Sequence, residues 1–434
     1  MRHPLRTLAV VAVATVALLG LGAVVGFRSP AQAPQPAAVQ VMPDRLAPAI
    51  TRAQDRLRAL PRDHGTWAAL GLAYVEQARV TADPSLYPKA EGALERSLAV
   101  RPKENSAALV GMGALANARH EFAAARRFAT DALRANPYDA DAYAVLADAH
   151  TQLGEPAAAT SAIQRMLDLR PGLAAYARAS YDLEQRGQVA EATALMRRAL
   201  DAAADPADIA FCRNQLGDLA WSAGDVPGAA AEYAAGVEAD PSYLALLRGR
   251  ARVAAARGDL AAAVTDAGTV AARTPTPDTL LEYAALLRLA ARPTEAERQL
   301  ALAEAAHTLF VANGGRDDLT GAQLALARGD AATAVRLATA EWRRRPFADV
   351  ADVLGWSLHT AGRDDEALPL LRKAVAASPR HAGYAYHLGM TLLSTGDVAG
   401  AREALRRVRT ANPYFSPIDG PTAARALSAL EALS

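Results

Sequence analysis

The chain has 434 residues, and its 47 basic side chains are balanced by 46 acidic ones, which gives no electrostatic reason to expect nucleic acid as a partner. Apolar residues make up 51% of the chain but aromatic residues only 5%, and alanine dominates. This composition favours closely packed helices over a β-sandwich, which draws on β-branched and aromatic residues. A single cysteine, Cys212, excludes an intrachain disulfide framework and a cysteine-based zinc site.

The N-terminal segment predicts export or membrane anchoring. Arg2 and Arg6 precede an uncharged run from Thr7 to Phe27, which is long enough to span a bilayer because a spanning helix needs about 20 apolar residues. The small residues of Ala31-Gln32-Ala33 leave a cleaved signal peptide as the alternative. In both cases we expect an extracytoplasmic protein, single-pass membrane-anchored through residues 7–27 if the segment is uncleaved, or secreted if it is cleaved.

The rest of the chain repeats. Gly355, Gly362, Ala367 and Pro379 each recur 34 positions later as the same residue type. Gly355 and Ala367 are expected where two helices cross, because a minimal side chain lets the backbones approach closely. Gly362 is expected in a turn that needs a positive φ, and Pro379 should end the second helix. One helix pair cannot bury its own apolar face, so the pairs must stack.

This pattern resembles the tetratricopeptide repeat, whose signature for the first helix of a unit is matched by Trp67, Leu70, Gly71 and Tyr74. The resemblance covers nearly everything from residue 49 to the end. It implies an all-α fold, a right-handed α-α superhelix or solenoid of about ten helical hairpins with terminal capping helices. The predicted boundaries are 1–28 for the membrane anchor or signal peptide, 29–43 for a Pro/Ala/Gln linker, and 44–434 for the solenoid, with units at about 64–105, 106–139, 140–172, 173–209, 210–243, 244–276, 277–314, 315–347, 348–381 and 382–415 and a C-terminal cap at 421–433.

The resemblance also implies that the first helix of each hairpin lines a concave groove in which a partner binds. Tyr, Trp and Arg are common hot-spot residues in interfaces, and the middle of the groove changes from acidic to basic along its length, as at Asp218 and Arg252. The alternative is that these are ordinary solvated or partly packed side chains. The residues carried over as partner-binding are Asp148, Tyr181, Glu184, Asn214, Asp218, Trp221, Arg248, Arg252, Arg288, Trp356, His359 and Tyr386.

The sequence offers little for catalysis. It contains no HExxH pair, no Gly-x-Ser-x-Gly elbow and no glycine-rich phosphate loop, and its glycines belong to the repeat. His381 and His387 flank the start of a helix with no carboxylate between them, which makes a poor metal site. We therefore predict that the protein is not an enzyme and has no catalytic residues, cofactor or metal.

The sequence as a whole predicts a non-catalytic protein–protein interaction scaffold of bacterial type, exported or membrane-tethered, that binds a peptide or partner protein in the concave groove. The alternative is an assembly chaperone or accessory factor for a membrane-bound enzyme or transporter complex. Neither reading includes a nucleic-acid partner. The carboxylate-clamp arrangement of lysine and asparagine, which some repeats of this family use to hold acidic tails, is not reproduced in any unit.

Overall fold

The computed structural model describes residues 46–432, which form 22 α-helices, one 3-10 turn at Pro84–Leu86 and no strand within this range. The helices are α1 (Leu46–Ala59), α2 (His64–Thr81), α3 (Tyr87–Val100), α4 (Ser106–Ala118), α5 (Phe122–Ala135), α6 (Ala140–Gln152), α7 (Pro156–Leu169), α8 (Leu173–Gln185), α9 (Val189–Ala202), α10 (Pro206–Ser222), α11 (Val226–Ala239), α12 (Leu244–Ala256), α13 (Leu260–Arg273), α14 (Pro277–Leu289), α15 (Pro293–Ala312), α16 (Asp318–Ala327), α17 (Ala331–Arg344), α18 (Ala348–Thr360), α19 (Asp364–Ala377), α20 (Ala382–Ser394), α21 (Val398–Ala411) and α22 (Asp419–Ala432).

Neighbouring helices along the chain pack against each other. The two helices of a pair are in contact, as α4 with α5 or α20 with α21, and the second helix of one pair contacts the first of the next, as α5 with α6. This succession of nearest-neighbour contacts is how a repeat array buries apolar surface that no single pair could bury alone. The predicted all-α solenoid of helix pairs is confirmed. Its numerical division into units, and the segments at 1–28 and 29–43, which lie outside the described residues, stay predictions.

The recurring small residues make close helix contacts possible. A Cβ atom placed on Gly355 would lie 2.6 Å from Cγ of Leu371 and 3.3 Å from the carbonyl oxygen of Ala367. Gly362 has a φ of +73°, a left-handed conformation that glycine adopts without strain. Both glycine expectations are confirmed. Alanine serves the same purpose in the core, where Ala367 and Ala374 are completely buried.

The described residues divide into two compact units. Unit 1 comprises residues 46–179 together with Leu309–Arg316, and unit 2 comprises Ser180–Thr308 and residues 317–432. In unit 1 the backbone N–H of Arg316 donates to the carbonyl oxygen of Arg119 at 2.8 Å.

Unit 2 contains contacts between helices far apart in sequence. The amide Nδ2 of Asn412 donates to the backbone oxygen of Trp221 at 2.7 Å. The hydroxyl of Ser378 donates to Oε1 of Gln185 at 3.2 Å. These pairs are separated by 191 and 193 residues, so early and late helix pairs of unit 2 touch.

The predicted location has to be corrected. None of the helices between residues 46 and 432 is both long and apolar enough to cross a membrane. The longest of them, α15, has 20 residues but carries Glu295, Glu297, Arg298 and Glu304, charges that a spanning helix excludes. The predicted anchor at residues 7–27 lies outside the described residues. On this finding the prediction of an extracytoplasmic protein, membrane-anchored or secreted, is wrong.

Candidate functional site

A connected set of polar side chains joins the first helices of four successive pairs in unit 2. We call this set the ionic ladder. Two of its links, Asp218 with Arg252 and Arg248 with Glu282, each span 34 residues, because residues one repeat apart occupy equivalent places on stacked helices. Its members are Glu184 on α8, Asn214, Asp218 and Ser222 on α10, Tyr233 on α11, Arg248 and Arg252 on α12, and Asp278 and Glu282 on α14.

Asp218 lies at the centre of the ladder. Its Oδ1 accepts hydrogen bonds from the Tyr233 hydroxyl at 2.9 Å and from the Arg252 guanidinium at 3.2 Å. Its Oδ2 accepts from the Asn214 amide at 2.9 Å. Three donors on three helices therefore fix the position of this one carboxylate.

Tyr233 reaches Asp218 because two glycines make room for its ring. A Cβ atom on either Gly217 or Gly249 would overlap the aromatic ring, which is completely buried. Burial and the negative charge of Asp218 raise the pKa of Tyr233 well above its usual value, so its hydroxyl stays protonated and donates. The glycines of the repeat thus position a polar group of the site as well as letting helices approach.

The two guanidiniums of the ladder are both paired. Arg248 donates to the two oxygens of Glu282 at 2.7 and 2.6 Å and lies 2.9 Å from Oδ2 of Asp278. Arg252 also reaches Glu282, at 3.4 Å. Burial alone would lower the pKa of Arg248, but the two neighbouring carboxylates raise it, so the group stays charged.

Glu184 lies at the end of the ladder, and no cationic side chain among the described residues pairs with it. Its Oε1 accepts a hydrogen bond from the Ser222 hydroxyl at 3.1 Å. Burial and the nearby charge of Asp218 raise the pKa of Glu184 to about 7. The carboxyl group is therefore only partly ionised near neutral pH.

The ladder contains four carboxylates and two guanidiniums, and it is partly open to solvent. The side chains of Asp218 and Asp278 keep 36% and 45% of their surface exposed. Asn214 is only 5% exposed, and its Oδ1 has no hydrogen-bond partner within residues 46–432. Since the Asp218 carboxylate can only accept, the Asn214 nitrogen must face it, and the unsatisfied atom is an acceptor.

A second group of side chains, the aromatic cluster, lies on α18 and α20. The Trp356 ring stacks on His387 at a centroid distance of 4.2 Å and lies 4.8 Å from His359 and 5.9 Å from Tyr386. Nδ1 of His387 lies 2.9 Å from both oxygens of Asp352. Burial alone would lower the pKa of His387, but Asp352 raises it overall.

Other titratable groups beside the aromatic cluster are strongly affected by burial. Burial raises the pKa of Asp349 to about 6, and its carboxylate accepts a hydrogen bond from the Tyr384 hydroxyl. Burial lowers the pKa of His381 to about 4, so this imidazole is neutral near pH 7. No group of three or more His, Cys, Asp or Glu side chains suited to a metal ion occurs in the part of the chain that the structure describes.

The tetratricopeptide repeat sequence model matches residues 110–174, 214–279, 319–382 and 353–414, which together exceed half of the chain. The chain belongs to the tetratricopeptide repeat family. Repeat proteins of this kind are typically protein-binding scaffolds that use the extended concave surface of the stack.

The chain is also similar to solved structures of repeat proteins. One is a human IFIT1 dimer, with 16% identity, 75% of this chain and 77% of that chain covered, and a TM-score of 0.47. Another is a protein from Thermus thermophilus, with 22% identity, 46% and 97% covered, and a TM-score of 0.38. A third, from Parabacteroides merdae, has 16% identity, 59% and 97% covered, and a TM-score of 0.37. Comparison with curated proteins finds no match.

The structure brings most of the predicted groove residues of this tetratricopeptide repeat protein into two places. The ionic ladder contains Glu184, Asn214, Asp218, Arg248 and Arg252, and the aromatic cluster contains Trp356, His359 and Tyr386. Their role in partner binding stays a prediction.

The remaining predicted residues lie apart from these two groups. Asp148 lies in unit 1 and is paired with Arg178. Arg288 donates to the backbone oxygen of Ala327 at 3.0 Å and to Glu297 at 2.8 Å. Trp221 is half-buried beside the ladder on α10, and Tyr181 lies on α8.

Sequence reasoning missed four members of the ladder, namely Ser222, Tyr233, Asp278 and Glu282. For Glu282 the signal was present, because it lies 34 residues after Arg248 and has the opposite charge. Asp278 lies one helical turn before Glu282 and shares its face of α14. Tyr233 belongs to the second helix of its pair, which the groove positions of the family do not include.

Proposed function

We propose that this protein is an interaction scaffold that binds a segment of a partner protein along the ionic ladder of unit 2. The observation that carries the proposal is the Asn214 amide, whose buried oxygen lacks a donor in the middle of charged side chains that are still partly exposed. A buried acceptor without a partner costs about 1–3 kcal/mol, and proteins retain such costs more often at functional sites than in internal packing.

The ladder also has the preorganisation that a binding site needs. Asp218, Arg248 and Arg252 are each held by at least two other side chains, so a ligand would not have to order them. Avoiding that ordering entropy leaves more of the interaction energy for affinity. We further propose Trp221 and Trp356 as flanking contacts, since both are only half-buried aromatic side chains in unit 2.

Site-specific photocrosslinking in cells tests this proposal. A photoreactive phenylalanine analogue at Trp221, one turn from Asp218, is expected to form a discrete adduct with one protein. The same analogue at Ala234, an exposed position on α11, serves as the matched control and should form none. Addition of Asp218→Asn should abolish the Trp221 adduct.

Two results would overturn the proposal. One is equal labelling from Trp221 and Ala234, which would indicate non-specific contact. The other is an adduct that persists unchanged with Asp218→Asn in a protein that retains its helical content by circular dichroism. That result would place the interaction outside the ionic ladder.

A further inference from the structure

The ionic ladder has an excess of groups that accept hydrogen bonds. Each guanidinium already contacts two carboxylates, Arg248 those of Asp278 and Glu282, and Arg252 those of Asp218 and Glu282. Both guanidiniums of the ladder are therefore already neutralised by carboxylates. The four carboxylates still outnumber the two guanidiniums, so the ladder has a surplus of negative charge.

Asn214 and Glu184 both interact with Asp218, and neither has a cationic partner among the described residues. Asn214 Oδ1 has no partner within residues 46–432, and the same amide is bound to Asp218 through its nitrogen. Glu184, which interacts electrostatically with Asp218, receives only the hydroxyl of Ser222. On the same helix, Arg186 is already paired with Asp182. A positive group beside Glu184 would supply the counter-charge that this carboxyl lacks among the described residues.

We propose that the ionic ladder selects a cationic partner segment, one that presents a lysine or arginine side chain to Glu184. This inference rests on the function proposed above and specifies the chemistry of the partner. A guanidinium or ammonium group carries several N–H donors and no acceptor, which suits a carboxyl group that has no cationic partner among the described residues. A charged donor also offsets the repulsion between Glu184 and Asp218, and charge complementarity of this kind gives specificity.

The proposal predicts a coupling between binding and proton release. Burial and Asp218 raise the pKa of Glu184 to about 7, so this carboxyl is about half protonated at pH 7. A cation placed beside it lowers its pKa and expels that proton. Binding of a cationic segment at pH 7 should therefore release up to about half a proton, and binding of a neutral segment should release none.

Calorimetric titration of the full chain with three synthetic peptides tests the inference. The peptides have equal length and carry lysine, glutamine or glutamate at the same positions. We expect binding of the lysine peptide alone, with a heat that depends on the ionisation enthalpy of the buffer, the signature of proton release. Glu184→Gln should weaken this binding about tenfold and remove the buffer dependence. Glu238→Gln on the exposed side of α11, the matched control, should change neither.

Three outcomes would overturn the inference. They are equal binding of the glutamine and lysine peptides, no binding of any peptide, and binding of free spermine as tight as that of the lysine peptide, which would mean a small polyamine site. The buffer dependence is measured on the unchanged protein, so the test does not depend on a variant that folds. A Trp221 crosslink to a neutral or acidic segment would leave the interaction scaffold standing and remove only this inference.

Discussion

The Asp148–Arg178 pair of unit 1 and the ionic ladder of unit 2 both link the first helices of successive pairs, but they do so in different ways. Asp148 and Arg178 lie on α6 and α8, 30 residues apart, and form two hydrogen bonds of 2.9 and 2.8 Å. Their side chains are only 9% and 6% exposed. One carboxylate therefore pairs with one guanidinium, both side chains are shielded from water, and neither charge is left uncompensated for a ligand.

The ladder differs in stoichiometry and exposure. Four carboxylates share two guanidiniums, and Asp278 keeps 45% of its side-chain surface exposed. Glu184 is left without a cation among the described residues, and Asn214 without a donor. The comparison of the pair with the ladder shows that a charged residue on the first helix of a repeat does not by itself indicate a binding site. We propose that the surplus of carboxylates over guanidiniums, together with access from solvent, marks the ladder as a binding surface and not as an internal tie between repeats.

The largest expected effect comes from breaking the pair in unit 1. Arg178→Met leaves Asp148 buried without its counter-charge and should lower the free energy of unfolding by about 3–5 kcal/mol. Urea unfolding followed by circular dichroism measures this loss.

The matched control is the double variant Asp148→Leu, Arg178→Met. It replaces both charges by apolar groups of similar size and should recover most of the lost stability, because a dry ion pair is seldom better than good packing. A double variant as unstable as Arg178→Met would contradict the view that the pair is an isolated internal tie.

A smaller, pH-dependent effect is expected at the ladder. The folded-state pKa of Glu184, about 7, exceeds its ordinary value of 4.5, so protonated Glu184 favours the folded state. This contribution is fully present below pH 4.5 and is lost as the pH rises through about 7. Glu184→Gln, which resembles the protonated form, should exceed the stability of the unchanged protein by less than about 1 kcal/mol at pH 5 and by up to about 3 kcal/mol at pH 8.

Urea unfolding at the two pH values measures the difference, with Glu238→Gln as the control that should show none at either pH. A gain from Glu184→Gln that is the same at pH 5 and pH 8 would refute the raised pKa. Together with the calorimetric result, this variant separates the effect of Glu184 on stability from its effect on binding. Glu184→Gln should stabilise the protein and at the same time lower its affinity for the cationic peptide.

The fold was predictable from the sequence because each recurring residue type permits or enforces a particular backbone conformation. Gly355 permits a close helix contact, Gly362 permits a positive φ, and proline ends a helix, and all three are visible as residue types at a fixed spacing. The N-terminal hydropathy, by contrast, led to a prediction of location that the described helices do not support.

The site was predictable only in part. The resemblance to the tetratricopeptide repeat identified Asp218, Arg248 and Arg252, because the family places these positions of the first helix in the groove. It does not show which side chains come within hydrogen-bonding distance. The Tyr233 hydroxyl reaches Asp218 from the second helix of its pair only because Gly217 and Gly249 leave space for its ring. The spacing of the repeat does not reveal such a contact, because it depends on several residues on three helices.

The smallest effect is expected for the contact between Asp218 and Arg252, and it tests most directly whether the ladder differs from the ion pair in unit 1. Asp218 and Arg252 are 36% and 27% exposed and 3.2 Å apart, so water screens their attraction. A double-mutant cycle with Asp218→Asn and Arg252→Gln should give a coupling energy below about 1 kcal/mol, whereas a cycle on Asp148 and Arg178 should give several times more. The cycle cancels the effects that each change has on Tyr233, Asn214 and Glu282, provided the other partner does not alter them. A coupling at Asp218–Arg252 as large as that in unit 1 would mean that the ladder is also an internal tie, with little free energy left for a partner to exploit.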